Sequence, residues 1–132
     1  MTLVVDASTV VAALTDGGAD GTWARTLLVS DDLAAPHLMP VEAANVLRRA
    51  VLAGDISSDA ASLAHADLLS LRTALFAYRP LADRVWELRD GVTAYDAWYV
   101  ALAESLDAPL VTLDRGLARA PAPRCLFVTP TG

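Results

Sequence analysis

Four acidic residues, Asp6, Glu42, Asp96 and Asp114, recur at one kind of position. Each lies at or just inside the start of a helix that the sequence predicts. A helix N-terminus leaves N–H groups unsatisfied and carries partial positive charge. An acidic side chain there gains a few tenths to about 1 kcal/mol. Thr93-x-x-Asp96 even has the outline of a capping box, although Glu or Gln is the usual last member. Capping therefore accounts for each residue taken singly. The set admits a second chemistry. In a chain that alternates strands and helices, helices that follow strands begin along the carboxyl edge of the sheet and face one crevice. Four carboxylates gathered there would offer the hard oxygen ligands that Mg²⁺ or Mn²⁺ requires.

The elements that must place them can be read in order. Leu3-Val4-Val5 is an apolar, β-branched run, the pattern of a strand buried on both faces, and it ends on Asp6. Ser8 or Thr9 is placed to cap the helix that follows. Thr15-Asp16-Gly17-Gly18 is turn chemistry, and Ala19 to Ser30 sets Trp23, Leu27 and Leu28 at helical spacing. Leu33 to Pro36 is a short strand. Pro40 stands near the first position of a third helix, where its missing N–H does no harm. That helix carries the apolar series Val41, Ala44, Leu47, Val51, with Arg48 and Arg49, and Gly54 ends it.

Ser57-Ser58-Asp59 caps a fourth helix, with Leu63, Ala66 and Leu69 as its inward face. Ala74 to Tyr78 is a weak strand, and Pro80 to Arg89 a fifth helix stopped by Gly91. A sixth helix runs from Thr93 to about Leu106. Leu110 to Leu113 is the second clear buried strand, again ending on a carboxylate, Asp114. A short helix and a last strand, Cys125 to Val128, complete the chain. Strands alternating with helices predict an α/β fold, with a parallel sheet covered on both faces. Residues 1–132 read as one domain.

Composition narrows the function. Hydrophobic residues make up 55% of the chain and mean hydropathy is +0.41, yet charges interrupt every apolar stretch short of a membrane span. No basic region precedes the first apolar run, so no signal peptide is expected. The single cysteine, Cys125, forbids an intrachain disulfide and suits a cytoplasmic setting. The net charge of −6 is the wrong sign for a nucleic-acid binder, unless carboxylates gathered around divalent cations reverse it locally. All 10 basic residues are arginine. Without lysine, a P-loop or a phosphoacceptor receiver built on Asp6 is a poor fit, and no dinucleotide fingerprint is present. Asp31, Asp32, Asp55 and Asp59 read as solvated loop or cap residues. His37 and His65 form no ligand-spaced pair and read as surface or cap residues.

Four blocks, in order and spanning essentially the whole chain, then carry a resemblance. They are Val4-Val5-Asp6-Ala7-Ser8; Pro40-Val41-Glu42 with Asn45-Val46-Leu47-Arg48; Thr93-Ala94-Tyr95-Asp96-Ala97 with Tyr99-Val100-Ala101-Leu102-Ala103; and Leu110-Val111-Thr112-Leu113-Asp114. Together they resemble the PIN-domain ribonucleases, and more narrowly the VapC-type toxins of toxin–antitoxin pairs. The resemblance implies a three-layer α/β/α fold and an Mg²⁺- or Mn²⁺-dependent endoribonuclease acting on tRNA or other structured RNA. It also implies a homodimer held inactive by a cognate antitoxin. Carried over by position, Asp6, Glu42, Asp96 and Asp114 form the acidic catalytic and metal-binding cluster, with Ser8 and Thr112 as supporting hydroxyls. The chain departs from the pattern at Arg115-Gly116-Leu117, where many relatives carry a further acidic residue. That departure counts against a permanently occupied second metal. The competing reading is a non-catalytic PIN-like domain that binds RNA or a protein.

Arg48, Arg49, Arg84, Arg89, Arg115 and Arg119 are candidates for phosphate contacts. Trp98 and Tyr99, beside Asp96, read as core or dimer residues rather than base-stacking ones. Trp23, Trp86 and Trp98 are more than one small core accommodates, which predicts an exposed apolar surface for a partner.

Overall fold

The structure, a computed structural model, describes residues 1–30 and 32–131. Asp31, read from sequence as a solvated acid, lies outside them. Five strands form one all-parallel sheet: β1 (Thr2–Val5), β2 (Asp32–Pro36), β3 (Thr73–Phe76), β4 (Leu110–Val111) and β5 (Phe127–Val128), in the order β3-β2-β1-β4-β5. The flanking helices are α1 (Ala7–Thr15), α2 (Ala19–Ser30), α3 (Met39–Leu52), α4 (Ser58–Ser70), α5 (Ala82–Glu87), α6 (Ala94–Leu106) and α7 (Arg115–Ala118). The α/β layering expected from the alternation is present.

The strand order fixes where a site can form. From β1 the chain builds outward through β2 and β3 on one side, then returns to add β4 and β5 on the other. The reversal falls between β1 and β4, paired through Val4↔Leu110 and Val5↔Val111. At such a switch point the connections leave in opposite directions and open a crevice beyond the carboxyl ends of the strands. Asp6 directly follows β1, and Thr112 and Asp114 follow β4.

Val4, Val5, Leu110 and Val111 are fully buried, as expected of central strands covered on both faces. Helix α6 lies across β1, β2 and β4, and α1 packs against α2, α3 and α4. Ala97 and the run Tyr99 to Ala103 are buried on almost every side of α6, so its sequence shows little amphipathic contrast. A clasp secures the chain before β5. Arg84 donates from Nε to Glu104 Oε1 (2.7 Å) and from Nη2 to the Ala122 carbonyl (3.2 Å), while the Arg124 N–H donates to Glu104 Oε2 (2.7 Å).

Several expectations need correction. The cap of α1 is Asp6, not Ser8 or Thr9: its carboxylate accepts from the Thr9 N–H. On α3 the inward residues are Met39, Ala43 and Leu47, while Val41 is 66% exposed. On α4 they are Ala64 and Leu68, and Leu63 and Leu69 face outward. A 3₁₀ turn at Arg79–Leu81 shortens the fifth helix, and β4 ends at Val111 rather than Leu113. Cys125 precedes β5 and is half-buried; burial pushes its thiol up to about 11, so it is no nucleophile at neutral pH. The exit from α3 is as expected: Gly54 has φ +80°, and the Gly54 and Asp55 N–H groups bond back to the Val51 and Ala50 carbonyls.

Candidate active site

The acidic residues at the carboxyl edge open onto one cleft of about 270 Å³. Asp6, Glu42, Asp96 and Asp114 all line it, with Ser8 beside them. They come from four separate segments, two as helix caps and two from the first turn of a helix. Asp6 ends β1 and caps α1. Glu42 projects from the first turn of α3, opened by Pro40. Asp96 is the third residue of α6, whose cap is Thr93, accepting from the Asp96 N–H at 3.2 Å. Asp114 caps α7, accepting from the Leu117 N–H at 3.0 Å.

Asp6 is the most firmly held. Its Oδ1 accepts from Ser8 Oγ (2.7 Å), the Thr9 N–H (3.0 Å) and Thr9 Oγ1 (3.0 Å), and its Oδ2 accepts from Thr112 Oγ1. Thr112 is fully buried, and its hydroxyl also accepts from the Asp114 N–H at 2.9 Å, so one side chain ties two carboxylate-bearing segments together. Ser8 Oγ accepts from the Leu113 N–H at 3.4 Å. Thr9 is fully buried, with its hydroxyl 3.2 Å from the Val111 carbonyl, and bridges α1 to β4. The sequence signalled Ser8 and Thr112 through the family pattern. It signalled Thr9 only as a possible helix cap, because the contact with Val111 lies on a distant strand.

Tyr99, a core or dimer residue by its sequence, is buried in the core at 2% exposure. Its hydroxyl nevertheless emerges into the cleft and donates to Glu42 Oε1 at 2.5 Å. Burial first, and Glu42 second, hold the Tyr99 hydroxyl far above its ordinary value, so it remains a donor at any working pH. Glu42 is itself raised, by burial and by the charges of Asp96 and Asp6, against the lowering effect of Tyr99. Asp96 is raised for the same reasons: burial first, then Asp114 and Asp6. The carboxylates feel one another, as a shared crevice requires.

Among the described residues, no three acidic, histidine or cysteine side chains already converge into a metal cage. The donors are all carboxylate oxygens, without nitrogen or sulfur, and burial first, then the neighbouring carboxylates, hold Asp96 and Glu42 above their ordinary values. Both features suit a hard divalent cation that draws the carboxylates inward. His37 and His65 are exposed, outside the cleft.

The arginine candidates separate. Arg84 is engaged by Glu104, and Arg89 lies 4.7 Å from the Trp86 ring and donates to the Trp86 carbonyl. Arg115 donates to the Pro130 carbonyl at 2.9 Å. Arg119 is exposed and, like these three, does not line the cleft. Arg48 lines a groove between α3 and α4 with Ser58 and His65. Arg49 alone of the six lines the acidic cleft.

The PIN-domain family model matches residues 3–123. Ribonuclease VapC1 of Mycobacterium tuberculosis is 46% identical over 123 residues, covering 92% of each chain. The fold is shared with M. tuberculosis VapC20, a sarcin–ricin loop cleaving toxin (TM-score 0.72, 20% identity, 97% of this chain and 99% of that one). It is shared too with VapBC2 of Rickettsia felis, solved on a DNA fragment from their promoter (TM-score 0.65, 13% identity, 98% of each chain).

Proposed function

This chain belongs to the PIN-domain family, and from that premise we propose that it is a divalent-metal-dependent endoribonuclease, the toxin of a toxin–antitoxin pair. One observation carries the reading. Four carboxylates from segments as far apart as residues 6 and 114 line a single cleft at the switch point of the sheet. The relatives named VapC ribonucleases support the reaction class and the toxin role. RNA, with structured RNA such as tRNA foremost, is the proposed substrate. No helix among the described residues is long and apolar enough to cross a membrane.

Asp6, Asp96 and Asp114, with Glu42, would hold Mg²⁺ or Mn²⁺. Bound there, the cation supplies charge neutralisation at the phosphoryl oxygens and lowers the pKa of the attacking water. The chain's own residues supply the positioning. Ser8, Thr9 and Thr112 fix both oxygens of Asp6, so this carboxylate needs no reorganisation to act. Tyr99 fixes Glu42 through Oε1 and so steadies a carboxylate that lines the cleft. The repulsion among the carboxylates makes the empty cleft a poor host for phosphate, which couples substrate binding to the cation.

The test is cleavage of RNA by purified protein with Mn²⁺ or Mg²⁺, and loss of cleavage in EDTA. Asp96→Asn should abolish cleavage while leaving the fold intact. Full activity in that variant would remove Asp96 from the catalytic set. Retention of RNA without any metal-dependent cutting would leave a non-catalytic binding domain.

A further inference from the structure

We propose that Arg49 is the phosphate-binding residue of the cleft, gripping the RNA backbone at a position flanking the scissile bond; this rests on the ribonuclease reading above. Glu42, Asn45 and Arg49 follow one another at spacings of three and four, so they share a face of α3. All three line the cleft. Among the described residues, Arg49 is the sole cation that does so, and no hydrogen bond or ion pair there engages its exposed guanidinium.

Arg49 is seven positions beyond Glu42, roughly 10 Å along the helix axis. Arg49 therefore stands along the cleft from the carboxylates rather than among them. An approaching strand meets negative charge at the cluster and one positive group beside it. A planar guanidinium offers two parallel N–H donors to a phosphate, and its offset along the helix axis from Glu42 favours a phosphate flanking the one being cut. The chain has no lysine and an overall negative charge, so one correctly placed cation carries an unusual share of backbone attraction.

The neighbouring Arg48 provides the control. It is also exposed, one residue away on the same helix, but it turns into the α3–α4 groove. Arg48→Ala and Arg49→Ala change net charge and helix propensity equally, so only position separates them.

Binding is read by fluorescence anisotropy of a labelled, mixed-sequence single-stranded RNA with Mg²⁺. The arginine variants are made in an Asp96→Asn background to keep the strand intact. Arg49→Ala should weaken binding about tenfold. It should also flatten the plot of log affinity against log salt by about 0.7, the value for one lost contact to a single strand. Arg48→Ala should change affinity less than twofold. Arg49→Lys should keep the salt slope with intermediate affinity. Equal behaviour of Arg48→Ala and Arg49→Ala overturns the assignment, as does Arg49→Lys behaving like Arg49→Ala, or no binding before substitution. Cleavage of the same RNA with Asp96 restored separates the two claims. A chain that binds through Arg49 yet never cuts keeps the phosphate site and loses the ribonuclease; a chain that cuts, with Arg48 and Arg49 equivalent, does the reverse.

Discussion

At the scale of single residues, the cleft depends on neutral hydroxyls as much as on charge. Tyr99 is the clearest case. Its ring belongs to the core, and its hydroxyl holds Glu42 from beneath at 2.5 Å. Removing the hydroxyl alone should leave the packing intact and free the carboxylate. Tyr99→Phe should therefore fold, and cut RNA about 10–100-fold more slowly, as for other lost supporting hydrogen bonds. It should also require more Mn²⁺ for half-maximal activity. Tyr99 lowers the pKa of Glu42, so its loss lets burial and the neighbouring charges raise that carboxyl further. The acidic limb of the pH–activity profile should then move to higher pH. Wild-type rate, Mn²⁺ requirement and profile together would show that the hydroxyl is only a satisfied core group. No sequence pattern announces this contact, because residues 42 and 99 meet only once α3 and α6 are packed. Asp6, Glu42 and Asp114 were legible because helix starts after strands must share an edge, and Asp96, on a helix that follows α5, through the family pattern; the Tyr99 contact and the bridge from Thr9 to β4 were not, because both are tertiary.

At the scale of elements, legibility follows burial. Strands β1 and β4 and helix α6 are buried nearly all round, and their apolar runs leave no other reading. Helices α3 and α4 are buried on one narrow face made partly of alanine, and there the larger leucines mislead. Ala43, Ala64 and Leu68 point inward, whereas Val41, Leu52, Leu63 and Leu69 do not. A series chosen by residue size picks the wrong stripe when small residues allow close helix packing. The outward apolar residues are themselves informative. Trp23 and Trp98 are partly buried against the core, Trp98 edge-on to Tyr78 at 5.3 Å, but Trp86 is 66% exposed. Exposed side chains of this size are consistent with a covering partner, and the antitoxin and a second copy are the proposed ones. Light scattering of the isolated protein at tens of micromolar should give twice 13.9 kDa. A monomer at that concentration removes the homodimer; antitoxin capture is then tested separately.

At the scale of the whole molecule, the metal-free fold carries an electrostatic cost that substitution can relieve. Asp96 is raised by burial and by Asp114 and Asp6, so the folded protein binds its proton more tightly than the unfolded chain does. The sign follows from linkage. A raised carboxyl contributes no penalty below its ordinary value of 3.8, and destabilises increasingly as pH rises through the folded value. The cap of α6 is the Thr93 hydroxyl acting on the Asp96 backbone, and Asp96→Asn leaves that bond in place. In EDTA at pH 7 the variant should therefore melt above the wild type, with the gap closing as pH falls toward 4. Metal reverses the order. Saturation at 100 times the dissociation constant stabilises the wild type by about 2.7 kcal/mol, a rise in melting temperature on the order of 10 °C for a domain of this size. The variant, lacking one ligand, should gain less. A helix-end charge with no metal role predicts the opposite pattern: Asp96→Asn melts lower in EDTA by the lost dipole interaction, and neither protein responds to Mn²⁺. That outcome would reduce Asp96 to a favourable charge at a helix start, and would dissolve the shared metal site with it.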